Sequence, residues 1–341
     1  MSGNDTSDAG ATTLEWFGAT TFRLKTKGLT IFLDAWLERP SSIPTYIRIE
    51  DVHEADYILI SHAHFDHLPG ADKLAKRTGA IIIGNGEAIN VMRGAGIPET
   101  QLIAVAGGER IPLFTAEQRK AAAAAENQQP RGPLDAGGPP PGPPQPSPDQ
   151  AVVTLHAWPS LHCLMPPASG DGGLSSHPDS IDTATRYTGD VGGFNCTLDI
   201  TRALTYKLGS LVEMPQLPPQ LPDSMRVFVE YMRDRDANRY SNFDGGQITY
   251  NFLIGPGKTL LWSGHLGGYE GVLAHLEPKP DFALLAIAGR ANLDGRLRGR
   301  GGLVAPLKPW YIDSRAATEL VHKETKSKVV ELEHAKVFQL W

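Results

Sequence analysis

A short apolar run, Tyr57-Ile-Leu-Ile60, is followed at once by Ser61-His62-Ala-His64-Phe-Asp66-His67-Leu-Pro69-Gly70. The run is brief, continuous and rich in isoleucine, which reads as a buried strand. Pro69-Gly70 stops it, and Ala71 to Arg77 reads as the start of a helix. Three histidines and an aspartate therefore share one tight loop at the tip of a core strand. In layered α/β proteins such loops are where sites are built, because the scaffold is rigid and the loop is accessible.

Neutral imidazole and carboxylate are the usual nitrogen and oxygen ligands of zinc, iron and manganese. In an extended segment, residues two apart point the same way. His62 and His64 are thus placed to converge on one ion. Asp66 and His67 are adjacent, so they point elsewhere and reach toward a second ion. A two-metal site polarises a substrate oxygen and holds an activated water. A single loop histidine usually means a solvated side chain. Four ligand-type residues between positions 62 and 67 favour metal binding instead.

The pattern His62-x-His64-x-Asp66-His67 after an apolar strand resembles the signature of the metallo-β-lactamase fold superfamily. The resemblance runs from about Leu14 to the C-terminus, apart from one insertion. Leu14-Glu-Trp-Phe-Gly-Ala-Thr-Thr-Phe-Arg-Leu24 and Leu29-Thr-Ile-Phe-Leu-Asp34 resemble the paired opening strands of the lactonase-like branch. The resemblance implies an α/β fold, a four-layer αββα sandwich with the metal site at one edge between two sheets. It also implies hydrolase activity. It places Asp34 where the family has an acid supporting the metal loop, although simple strand termination explains Asp34 equally well. It places His162, in Pro159-Ser-Leu-His-Cys, where a third histidine completes the first ion's ligands, in preference to His156 inside the preceding strand.

With 341 residues the chain is long enough for a sizeable core. No apolar run approaches the length of a membrane span, so no membrane association is expected. The net charge of −6 argues against a nucleic-acid groove. Cys163 and Cys196 are the only cysteines, which implies no disulfide framework and suits a reducing cytoplasm. Residues 1–12 read as a disordered tail and residues 13–341 as one domain.

Strand–helix alternation follows the metal loop. Strands are expected at 80–84, 102–105 and 110–113, and helices at 70–77 and 86–93. From Thr115 to Gln150 the text turns to an alanine run and then to proline and glycine, and reads as a disordered insertion. Ala151 to Trp158 resumes the sheet. Arg226 to Tyr231 reads as a strand. Asp234 to Asp244 is a polar loop that either lines a pocket or is a solvated turn. Gln247 to Ile254 and Lys258 to Trp262 form a hairpin around Gly255-Pro-Gly257.

In the family such a hairpin precedes a bridging acid. Here Ser263-Gly-His265-Leu-Gly-Gly follows it, so His265 takes that place in preference to Asp190 in Thr188-Gly-Asp-Val-Gly. An imidazole offers one lone pair and cannot bridge as a carboxylate does. Residues 290–309 contain no histidine, so a late helix–strand unit carrying the family's last metal ligand looks missing, and His322 on a later helix is no substitute. A helix is expected over 315–325 and strands over 328–332 and 336–340.

The leading expectation is a hydrolase with one or two zinc ions, manganese and iron being alternatives. His62, His64 and His162 take the first ion, and Asp66, His67 and His265 the second. Asp66 is the candidate to orient the attacking water or accept its proton. The substrate is expected to be a small ester, lactone or amide. One alternative is a catalytically weak metal-binding scaffold. Another is a phosphodiesterase, which needs an anion pocket from residues such as Arg233, Arg235 or Arg239.

Overall fold

The structure, a computed structural model, describes residues 11–126, 144–163, 208–265, 267–287, 292–293 and 315–341. The chain opens with three antiparallel strands, β1 (Thr13–Trp16), β2 (Phe22–Thr26) and β3 (Leu29–Leu33). The metal-loop strand β4 (Tyr57–Leu59) joins β3 in parallel, followed by β5 (Ile81–Asn85) and β6 (Leu102–Val105), also parallel. Parallel neighbours need crossovers, which α1 (Ala71–Thr78) and α2 (Gly86–Gly94) supply.

A second sheet is built from β7 (Arg110–Leu113), β8 (Val153–Pro159), β9 (Ile248–Gly255) and β10 (Lys258–Ser263), all antiparallel. The two-residue strands β11 (Gly267–Gly268) and β13 (Asn292–Leu293) pair with each other. β12 (Phe282–Leu285) adds in parallel to β10, and β14 (Val337–Gln339) adds to β1. The first sheet therefore runs β14-β1-β2-β3-β4-β5-β6 and the second β12-β10-β9-β8-β7.

Period-two alternation decides how the layers stack. Ile31, Leu33, Tyr57, Leu59 and Ile83 point into the space between the sheets, against Leu155, Tyr250, Phe252, Leu260 and Trp262. Phe32, Ile58, Ile60 and Ile82 point the other way, onto Leu74 and Ala75 of α1 and Ala88, Ile89 and Met92 of α2. Central strands are thus apolar on both faces, as parallel strands covered by helices must be. Each large side chain buried this way contributes about 1.5–3 kcal/mol. The arrangement is the α/β sandwich expected from the sequence, with helices outside the first sheet and β4 beside its central strand β3.

Four local expectations are corrected. Residues 226–231 are not a strand but part of α5 (Asp223–Arg233), which follows the short α4 (Ser210–Glu213). Met225, Phe228, Val229 and Met232 fall on one helical face, and Phe228, Tyr231 and Met232 pack with Tyr240 and Phe65. The expected insertion begins as a helix, α3 (Ala116–Glu126). Alanine is the best helix former, and Thr115 and Gln118 close a reciprocal capping pair, each side chain accepting the other's backbone N–H at 3.3 and 2.8 Å. Arg119 ties this helix to Asp56 at 3.0 Å. Residues 127–143 lie outside the described residues.

The expected strand over 328–332 has no ladder partner, while β14 forms where a strand was expected at 336–340. The expected tail ends sooner, since the buried Thr12 bonds Thr26 through their hydroxyls at 2.8 Å. A short helix α6 (Glu270–Ala274) follows β11, and α7 (Arg315–Glu324) forms as expected. Of the region suspected of lacking a unit, only residues 292–293 are described, and Asp190 also lies outside the described residues. Among the described residues no helix is long and apolar enough to cross a membrane.

Candidate metal centre

Three segments meet at the tip of β4: residues 60–70 after β4, residues 160–163 after β8, and residues 264–265 with 267–268 after β10. Backbone bonds lock them together. Ile248 donates to the Ser61 carbonyl at 2.9 Å, Ser160 donates to the Gln247 carbonyl at 2.8 Å, and the Ser160 hydroxyl reaches the Gly267 carbonyl at 2.9 Å. Two glycines permit this close approach. A Cβ on Gly264 would lie 2.4 Å from Ser61 Oγ, and one on Gly267 would lie 2.0 Å from the Leu161 carbonyl oxygen. Tyr250, buried between the sheets, donates to the Ile60 carbonyl at 2.9 Å and props the strand end from below.

The result is a nest of five imidazoles. His62, His64, His67 and His265 are buried, and His162 is half-buried. Nε2 of His62 lies 3.0 Å from Nδ1 of His64 and 3.3 Å from Nε2 of His265. Ring centroids of His62 and His67 are 3.9 Å apart, and those of His162 and His265 are 3.7 Å apart. Three donor sets result, each with ligand atoms within 4.8 Å of one another: His62, His64 and His162; His62, His67 and His265; and His162, Cys163 and His265. The structure thus brings together every histidine singled out in the sequence. Asp66 stands beside them, its Oδ1 3.6 Å from His67 Nε2, with its carboxyl partly exposed. It belongs to none of the three sets.

Asp34 lies beneath the nest. It is fully buried and adopts φ +47°, a left-handed conformation that costs a non-glycine residue free energy. Its Oδ1 accepts the Ser61 backbone N–H at 2.8 Å. Its Oδ2 accepts the Thr20 hydroxyl at 2.6 Å, the Ser61 hydroxyl at 2.9 Å and His67 Nδ1–H at 2.6 Å. With Nδ1 held by Asp34, His67 presents Nε2 on the side of Asp66. A carboxylate holding a ligand histidine in one tautomer is a common feature of metal sites. Of the two readings of Asp34, support of the loop is the one its contacts favour.

The amino-acid pattern of this loop has relatives. Residues 13–131 match the family model described as the beta-lactamase superfamily domain. Over that segment the chain is similar to the metallo-β-lactamase fold superfamily. A protein named UPF0173 metal-dependent hydrolase from Anaeromyxobacter sp. (strain K) is 41% identical over 93 residues, 27% of this chain and 34% of its own length. One of the same name from Pyrobaculum islandicum is 36% identical over 102 residues, 29% of this chain and 44% of its own. The chain therefore spans well under half the length of these curated relatives. Among solved structures, a metallo-beta-lactamase from Cronobacter sakazakii with an altered HARLDQ motif aligns over 81% of this chain and 77% of its own. Its identity is 13% and its TM-score 0.33, too distant to carry an argument.

Electrostatics in the nest favour uncharged rings at four of the five histidines. Burial, and then repulsion from neighbouring imidazoles, holds His62, His64 and His265 well below the usual histidine range. Burial lowers His162 too, against an opposing hydrogen bond from its Nδ1–H to the Cys163 carbonyl at 2.9 Å. At His67 burial is outweighed by Asp66 and Asp34, which raise it. Neutral imidazole is the ligand form. Two ring nitrogens, Nε2 of His64 and Nδ1 of His265, are buried with no hydrogen-bond partner. A buried polar atom without a partner is costly, and coordination to a cation is one way to satisfy it. The residues fit a metal ion.

Several contributors escaped the sequence reading. Ser61 and Thr20 share Asp34, yet single hydroxyl residues give no pattern. The loop 238–246 folds over the site: Ala63 donates to the Asp244 carbonyl at 3.1 Å, and Ser241 donates back to Ala63 at 2.8 Å. Asn85 anchors it by donating to the carbonyls of Asp244 and Gly246 at 2.6 and 2.7 Å. The Asp244 carboxylate faces His162 electrostatically, and Phe243 on the same loop is exposed. The loop is thus tied to the metal loop by hydrogen bonds and does not stand as a free solvated turn.

Proposed function

We propose that the chain is a metal-dependent hydrolase acting on a small ester, lactone or amide. The observation that carries this is the nest of converging buried imidazoles with two partnerless nitrogens. The printed names of the relatives point the same way. His62, His64 and His162 would hold one ion, and His67 with His265 and Asp66 a second. Imidazole-rich donors suit zinc, with manganese and iron as alternatives. When bound, such an ion supplies Lewis acidity toward a carbonyl oxygen and makes water a stronger acid.

The protein's own groups do the rest. Asp34 keeps the His67 proton on Nδ1, so the opposite face of the ring is free of it. Asp66, partly exposed at the mouth beside His67, is placed to accept a proton from water and pass it to a leaving group. Buried walls exclude bulk water on the β4 side, while the exposed Phe243 offers an apolar contact for a substrate. The lactonase-like opening strands and the net charge of −6 support a small neutral or weakly charged substrate. A cytoplasmic setting suits the free thiol of Cys163.

A phosphodiester substrate is less well supported. Arg233 spends its guanidinium on the Val212 and Met214 carbonyls, Arg235 on the Tyr240 carbonyl and ring, and Arg239 on Asp236. A metal-binding scaffold of low activity is the second reading, favoured by His265 where the family has a bridging carboxylate.

Metal content after dialysis, with turnover of an aryl ester and an aliphatic lactone, tests these readings. The hydrolase reading expects at least one ion per chain and turnover, with both lost in His64→Ala. A metal-loaded protein that turns over neither substrate would establish the scaffold, and a chain that binds no ion would sink both.

A further inference from the structure

Cys163 directly follows His162, and its side chain is 6% exposed. A buried free cysteine is most often a small apolar filler. Cys163 is not placed as one. It is absent from all three hydrophobic clusters among the described residues. Its Sγ instead lies 3.7 Å from His162 Nδ1, a weak contact, since that nitrogen already donates to the Cys163 carbonyl at 2.9 Å. Together with His162 and His265 it makes the third donor set, all three ligand atoms within 4.8 Å of one another. An independent observation bears on the same set: Nδ1 of His265, in a residue 7% exposed, has no hydrogen-bond partner.

Charge gives this set a purpose. The other two sets contain only imidazoles, which are neutral when they bind. A divalent ion held by neutral ligands in a buried site keeps its whole charge away from water, which is costly. Within the three sets the anionic donor available is the Cys163 thiolate. As a free thiol Cys163 carries its proton on sulfur. Coordination removes that proton.

We infer that Cys163 is a thiolate ligand which, with His162 and His265, biases this centre toward zinc over manganese or iron. Sulfur donors make that selection because they are softer than carboxylate or water. The inference rests on the metal-binding reading above.

Cobalt(II) loading of the full chain, followed by absorption spectroscopy, tests it. The expected spectrum shows visible ligand-field bands and a near-ultraviolet thiolate-to-cobalt charge-transfer band. Cys163→Ser should lose the charge-transfer band and keep the visible ones, while Cys196→Ser keeps both. Visible bands without charge transfer in the unmutated protein would overturn the inference and leave the metal reading standing. So would a charge-transfer band that survives Cys163→Ser. No cobalt uptake at all would overturn the metal reading itself. Should Cys163→Ser not fold, alkylation of the unmutated protein decides: zinc must block labelling of Cys163 that proceeds in the presence of chelator, and equal labelling overturns the assignment.

Discussion

Asp34 carries four hydrogen bonds on one buried carboxylate, and it holds them from a backbone conformation that disfavours a side chain. Strain of this kind persists where surrounding contacts over-determine it. Asp34→Asn keeps the shape but turns an acceptor into a partial donor, so His67 loses the partner that fixes its tautomer. Metal affinity should fall by about 10–100-fold, read by competition with a chromophoric chelator. An unchanged affinity would reduce Asp34 to a strand terminator. Gly264 is decided by space rather than by conformation. Gly264→Ala would drive a methyl group into Ser61, whose atoms lie within 2.4 and 2.6 Å of the new carbon. The expected outcome is displacement of His265 and substoichiometric metal by elemental analysis, with His62 and His64 still in place. In the sequence Asp34 had two equal readings, because neither Thr20 nor Ser61 announces that it shares an acid. The His62 to His67 cluster was legible because four ligand-type residues in one loop are rarely accidental.

At the scale of elements, the strands of both sheets were read at nearly their observed limits because period-two alternation is a local signal. The helix α5 was missed for a reason internal to the same method. Arg226-Val-Phe-Val-Glu-Tyr231 is rich in β-branched and aromatic residues, and a six-residue window matches a strand. Only the longer spacing of Met225, Phe228, Val229 and Met232 reveals the helical face. That helix packs on the metal loop through Phe65, whose ring lies 5.1 Å from that of Phe228. Met232, 1% exposed, belongs to the same cluster. Met232→Ala should destabilise the protein by about 2–5 kcal/mol, measured by urea unfolding. A cost below about 0.5 kcal/mol, the range of ordinary surface changes, would mean that α5 is not part of the cooperative fold. The alanine run of α3 was misread because low complexity was taken with the proline-rich text behind it, whereas Thr115 and Gln118 already start a helix.

For the whole molecule, the centre is a clasp between the two sheets. His62 and His265 touch although they are 203 residues apart in sequence. An ion held by both would bind the folded chain and not the unfolded one, so it should stabilise the fold by mass action. At a free metal concentration one hundred times its dissociation constant, the gain is about 2.7 kcal/mol. Thermal unfolding should therefore shift to lower temperature in chelator and recover on adding zinc back. A transition indifferent to chelator would mean that the loops are held by the hydrogen bonds and glycine contacts alone. By itself the sequence determined the alternating strands, the histidine loop at the tip of β4 and the class of fold, since each depends on neighbours in the chain. Only the tertiary structure decided that Asp34 lies under His67, that the loop 238–246 covers the site, and that Cys163 faces His265. Those contacts join segments far apart in sequence, and the approach of two sheets, made possible by the missing side chains of Gly264 and Gly267, is what brings them within bonding distance.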